Sequence, residues 1–203
     1  VVITGIGIIS CLGNNKNEVL ASLLGSKSGL TLNPEYKENG MRCHISGQVN
    51  PNLDVIDRKM LRFMSETSAY AFLSTEEALA DSGLGIEDIN NDTTGVIVGS
   101  GTGSSRELKN VVDTAREKGI KRVGPYAVTR TMGNTTSAAI STFFQTKGVS
   151  FSIASACSTS LHCISYAFDL IKSGRQKTVI AGGSEDDHSV SYTHLTLPTT
   201  SSV

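Results

Sequence analysis

Residues 152–164, SIASACSTSLHCI, place a cysteine where two kinds of local structure meet. The residues before Cys157 are β-formers and small; those after it begin a helical stretch, with Ser158 or Thr159 suited to capping. A sulfur there lies near a helix N-terminus, where unpaired amides and the dipole favour the thiolate. Ser155 and Ala156 leave room for a sharp corner, as small residues do beside the serine of a nucleophile elbow. The chemistry this permits is covalent catalysis by a thiolate. The same pattern also suits a small core cysteine, and spacing alone leaves both readings open. No base is supplied locally. On a helix His162 lies about 140° and Cys163 about 240° around from Cys157, so neither faces it. Activation then rests on the helix terminus or on a base from elsewhere in the fold.

Other motifs carry less. In TGIGIISCLG, Gly5 and Gly7 fit a dinucleotide fingerprint, but Ser10 stands where its third glycine belongs. No acidic residue closes a second strand about 20 positions on, so a tight turn is the better reading. GSGTGS at 99–104 has no Walker lysine after it. Its glycines are better explained by close approach of the backbone to an acyl chain or a facing subunit. Arg58, Lys59 and Arg62 fall within one sector of about 100° on a helix, with Met60, Leu61, Phe63 and Met64 on the other side. Lys118, Lys121 and Arg122 form a second basic group beside Glu117. Both groups read either as solvated faces or as docking points for an acidic partner.

A formal net charge of −1 gives no bulk field for nucleic acid or an anionic membrane. No apolar run approaches the ~18 residues that span a bilayer. The opening VVITGIGIIS has no basic n-region and reads as a strand rather than a signal peptide, and without a methionine it implies a few missing leading residues. Cys11, Cys43, Cys157 and Cys163 form no CxxC pair and no zinc spacing with the four histidines, which implies free thiols, a reducing cytoplasm and no metal.

Strand and helix signals alternate along the chain. A helix is expected in NKNEVLASLLGSKSG, a short strand in HISGQV and one long helix from Asp57 to Asp81, stopped by Gly83. TGVIVGSG reads as a buried strand, followed by helices in SRELKNVVDTAREKG and NTTSAAISTFFQTKG. VSFSIAS, TSLHCISYAFDLIKSG and KTVIAGGSE complete a strand–helix–strand run. This alternation predicts an α/β fold with a parallel or mixed sheet covered on both faces. The regularity stops near His188: SVSYTHLTLPTTSSV is dominated by Ser and Thr, with no helical period. The division is therefore residues 1–188 as folded chain and 189–203 as a disordered or foreign tail, of the kind a translated sequencing adapter produces. An edge strand and natural terminus is the alternative.

SACSTS with HCI, VVITGIGIIS, DRKMLRFMS, GPYAVTRTM and AGGSED, in that family's order, resemble the β-ketoacyl-acyl-carrier-protein synthases of the thiolase superfamily, with HCI and RFMS leaning to type I. The resemblance covers residues 1 to about 187. It implies the thiolase-like fold, two similar halves packed as five α-β-α-β-α layers, of which this chain matches the N-terminal half, and a homodimer when full-length. It implies that Cys157 takes an acyl group from acyl carrier protein and that the acyl-cysteine then condenses with malonyl-carrier protein, with loss of CO2. It implies an oxyanion hole that includes the Cys157 amide, carrier docking by Arg58, Lys59, Arg62 and Lys121, and an acyl-pocket loop around Gly101 and Thr102. No cofactor is implied.

The resemblance also exposes a departure. The family's two catalytic histidines and a lysine lie in the second half, and His44, His162, His188 and His194 do not stand in for them. Full-length, the protein resembles a condensing enzyme; this stretch by itself is expected not to condense. A type II synthase or polyketide ketosynthase is the nearest rival. A non-catalytic chain-length-factor-like subunit would lack Cys157, and a thiolase would use coenzyme A rather than a carrier.

Overall fold

Asn15 opens the first helix, α1 (Lys16–Leu24), by accepting from the Glu18 N–H, an N-cap of ordinary kind. The structure is a computed structural model and describes residues 1–186. Strand β1 (Thr31–Leu32), helix α2 (Pro34–Glu38) and strand β2 (Ile45–Ser46) follow, and β1 and β2 pair antiparallel as a small flap. Helices α3 (Arg58–Leu61), α4 (Glu66–Ser82) and α5 (Ile86–Ile89) lead to strand β3 (Thr94–Gly99). Helices α6 (Ser105–Lys118), α7 (Ala127–Thr131) and α8 (Thr135–Phe143), strand β4 (Ser150–Phe151), helix α9 (Thr159–Lys172) and strand β5 (Thr178–Gly183) complete the order.

The sheet is parallel, in the order β4-β3-β5, with β3 buried along its whole length. Successive side chains of a strand point to opposite faces. Val96 and Val98 accordingly join Phe72 of α4 and Ile140 of α8 in one core, while Ile97 joins Cys163 and Leu170 of α9 in the other. The sheet is thus covered on both faces, as the alternation predicts. Helix α8 is buried through small residues, and Thr136 Oγ1 donates to the Val98 carbonyl at 3.1 Å. That bond satisfies a fully buried hydroxyl.

Two expectations are corrected. Residues 1–9 do not pair as a strand. The segment lies on α4 instead, with the Ile6 N–H donating to Asp81 Oδ2 and the Ile8 N–H to Glu77 Oε2. A β-carbon on Gly7 would stand 1.7 Å from the Ser74 carbonyl oxygen, so the early glycines serve this close approach. Backbone donors that a neighbouring strand would bond are held by helix carboxylates.

The helix predicted from Asp57 to Asp81 is divided. Asp57 caps α3 by accepting from the Lys59 N–H, and buried Ser65 caps α4 by accepting from the Ser68 N–H. Between them Met64 turns into the core, and its carbonyl accepts from Arg130 Nε at 3.1 Å. Burial of Met64 and the cap at Ser65 override the helical period. Phe63, expected on the buried side, is 44% exposed and packs edge-on to Tyr126, ring centroids 4.9 Å apart.

Candidate active site

Cys157 sits in a three-ten turn, Ala156–Ser158, which passes directly into α9. Ala156 has φ +52°, the left-handed region that L-residues avoid at a cost of about 1–3 kcal/mol. The strain is held by bonds on both sides of the corner. The Ser155 N–H donates to Thr159 Oγ1 at 2.8 Å, and the Ser158 hydroxyl donates to the Ser155 carbonyl at 2.7 Å. Ser158 and Thr159 therefore bind back to Ser155 rather than capping α9 with a side chain, which departs from the expected cap. Ser155 Oγ and His162 Nδ1 share a hydrogen bond of 2.6 Å. His162 is thus turned to Ser155, and Cys163 is fully buried against the sheet, where desolvation pushes its thiol above the ordinary range. Cys157 is exposed, and all four cysteines are free.

The corner lies at the carboxyl ends of the parallel strands, where open α/β sheets hold their ligands. Gly99 and Gly183 end β3 and β5 in register. A β-carbon on Gly99 would be 2.7 Å from Thr159 Cγ2, and one on Gly183 would be 3.1 Å from Ser160 Cβ. The two glycines let the first turn of α9 settle on the strand ends.

The loop after β3 closes over the corner. A β-carbon on Gly101 would meet Ala156 Cα at 3.0 Å. Glu185, just past β5, anchors this loop: it accepts from Ser100 Oγ at 2.8 Å, from the Gly101 N–H, and from Thr102 Oγ1 at 3.5 Å. Next to it, Asp186 is buried and accepts from Ser104 Oγ, the N-cap of α6, at 2.6 Å. The sequence-predicted Gly101 and Cys157 are thus brought together, and Thr102 is drawn to Glu185. Nothing local in AGGSED marks its carboxylates as anchors for a loop some eighty positions earlier, and nothing local in Ser155 beyond its small size marks its bond to His162.

Arg58, Lys59 and Arg62 are exposed on and just after α3, and Lys121 is exposed in a three-ten turn, Ile120–Arg122. The Phe63–Tyr126 ring contact joins these two segments. Beneath them Arg130 Nη2 pairs with Glu107 Oε1 at 2.8 Å. Burial pushes the Glu107 carboxyl above the ordinary range, although Arg130 opposes the shift. Among the described residues no group of three His, Cys, Asp or Glu side chains is placed to hold a metal ion. No helix of the described residues is long and apolar enough to cross a membrane. His188, His194 and the segment 189–203 lie outside the described residues.

Comparison with known proteins decides the family, because the model of the β-ketoacyl synthase N-terminal domain matches residues 1–196. The chain belongs to the β-ketoacyl synthase family. A 3-oxoacyl-[acyl-carrier-protein] synthase 1 from Haemophilus influenzae is 49% identical over 188 residues, which cover 91% of this chain and 46% of that protein. The synthase 1 of Escherichia coli K12 is 50% identical over the same length and shares. Among solved structures, a β-ketoacyl synthase from Burkholderia phymatum STM815 superposes with a TM-score of 0.84 at 28% identity, covering 94% of this chain and 48% of that one. The thiolase-like fold class is shown by that likeness. The chain spans about half the length of the curated synthases it matches.

Proposed function

We propose that the protein containing this chain is a condensing enzyme of fatty-acid synthesis that joins an acyl group to malonyl-acyl carrier protein. The observation that carries the reading is Cys157 on its strained corner, exposed at the strand ends beneath the Gly101 loop, in a chain half-identical to synthases of that name. The Cys157 sulfur attacks the thioester carbonyl; the new S–C bond forms as the carrier thiolate leaves. Amides at the corner, the Cys157 N–H among them, stabilise the oxyanion. Malonyl-carrier then loses CO2, and the resulting enolate carbon attacks the acyl-cysteine. This frees the Cys157 thiolate and leaves a 3-oxoacyl chain two carbons longer on the carrier. The histidines and lysine for decarboxylation belong to a second half of the fold.

Several features support the rest of the reading. Leu161, Ile164 and Phe168 leave an apolar face of α9 exposed, as half of a two-half core would. Exposed Arg58, Lys59, Arg62 and Lys121 suit an acidic carrier. Four free cysteines suit the cytoplasm, where we place the enzyme as a homodimer without cofactor. The test is mass spectrometry of the full-length protein after incubation with acyl-carrier protein. An acyl adduct on Cys157, absent from Cys157→Ala and present in Cys163→Ala, followed by 3-oxoacyl product on adding malonyl-carrier, is the expected result. Equal loading of both variants would overturn the assignment.

A further inference from the structure

The nucleophile corner contains a histidine that the acyl-transfer scheme leaves without a task. We infer that His162 is a positioning residue for Cys157, acting through Ser155; the inference rests on the reading of Cys157 as nucleophile. Three observations support it. Ser155 is the last residue before the strained Ala156, and all three of its polar groups are bonded to residues that follow the corner. Its N–H goes to Thr159, its carbonyl accepts from the Ser158 N–H and hydroxyl, and its Oγ meets His162 Nδ1 at 2.6 Å. The first two sets bond Ser155 to residues beside the corner, Thr159 among them seated against Gly99 at the strand end. The His162 bond alone reaches to the second turn of α9, a part of the helix fixed by Cys163 and Leu170 in the core.

A left-handed alanine relaxes unless its surroundings over-determine it. Thr159 and Ser158 fix the height of Ser155 over the helix end, and His162 fixes its rotation. Rotation at Ser155 carries the following peptide, and with it the direction of the Cys157 amide and sulfur. The imidazole does not touch the sulfur in this role and takes no proton from it. Its neighbour Cys163, although next in sequence, points into the sheet and shares none of the function.

The experiment measures the rate of Cys157 alkylation by iodoacetamide in the full-length protein and in His162→Ala, His162→Asn, Ser155→Ala and the Ser155→Ala/His162→Ala double variant. An asparagine amide reaches the place of Nδ1. Displacement by an ångström of an atom that must meet a bound substrate costs on the order of 100-fold, so a loss of about 10- to 100-fold in acyl transfer, with a smaller loss of alkylation, is expected in both alanine variants. Rescue by asparagine, a double variant no slower than either single one, and melting temperatures within about 2 °C of the parent complete the expectation. In acyl transfer the loss falls on kcat, with KM for the acyl-carrier unchanged. Parent-like alkylation of His162→Ala, failure of asparagine to rescue, or additive losses in the double variant would overturn the inference. Iodoacetamide needs no carrier, so a parent protein that alkylates normally but transfers no acyl group would overturn the condensing reading alone.

Discussion

Gly99 and Gly183 stand opposite each other across the β3–β5 ladder, and the first turn of α9 rests on the pair. The contact is tighter at Gly99, where an added β-carbon would lie 2.0 Å from the Ile153 carbonyl oxygen and 2.7 Å from Thr159 Cγ2. At Gly183 the nearest atom would be Ser160 Cβ, at 3.1 Å. The strand ends thus set how deeply the Cys157 corner can sit, and Thr159, which bonds Ser155, is the residue that registers a change.

Gly99→Ala is expected to move backbone, because the obstructing atom is a carbonyl oxygen rather than the end of a flexible side chain. A loss of about 3 kcal/mol or more follows, at the upper end of overpacking effects, together with loss of Cys157 acylation. Gly183→Ala needs only a few tenths of an ångström from Ser160 and should cost about 1 kcal/mol. Denaturant unfolding of the full-length variants and their acylation rates check the order. Equal tolerance of alanine at both positions would mean that α9 is not seated on this pair.

Arg62→Glu should weaken binding of the acidic carrier about tenfold at low salt, less as salt screens the charge, and leave acyl transfer from a small free thioester intact. Arg62 is exposed just past α3, beside the Phe63–Tyr126 contact that joins the two basic segments. Titrating the carrier at two salt concentrations makes the measurement. Unchanged affinity would return this face to ordinary solvated charge.

The Glu107–Arg130 pair gives a pH dependence with a definite sign. Burial raises the Glu107 carboxyl in the folded protein, so between its unfolded and folded values the native state holds more protons than the unfolded one. Stability therefore falls as pH rises from the ordinary carboxylate range through the raised value, and is flat above it. Glu107→Gln removes that fall while keeping an acceptor for Arg130 Nη2. Melting temperatures of both proteins across this window should converge at low pH and separate in favour of the glutamine variant as pH rises. Parallel curves would show that Glu107 does not titrate differently on folding.

Much of the fold was legible because its signals are local. The buried strand Thr94–Gly99, the helix Ser105–Lys118 ended by Gly119 and the helix Thr159–Lys172 all follow from runs of neighbouring residues. Cys157 was legible for the same reason, as a strand–helix junction with small flanking residues is written in six consecutive letters. The apparent strand at residues 1–9 was misleading, because composition marks a segment as extended but does not say what accepts its hydrogen bonds. Here the acceptors are Asp81 and Glu77, some seventy positions away.

By itself the sequence determined the α/β alternation and the position of the cysteine relative to its helix, since each depends on propensity and period over a few turns; that the β4-β3-β5 sheet is parallel, where the sequence allowed a mixed one, came from the structure. Only the tertiary structure decided that the long helix breaks at Ser65, that Glu185 secures the Gly101 loop across 84 positions, and that His162 is turned to Ser155. Those outcomes depend on which distant carbonyl or carboxylate reaches a given backbone donor, and on a left-handed corner that an ideal helical wheel does not contain. They are set when the chain closes on itself.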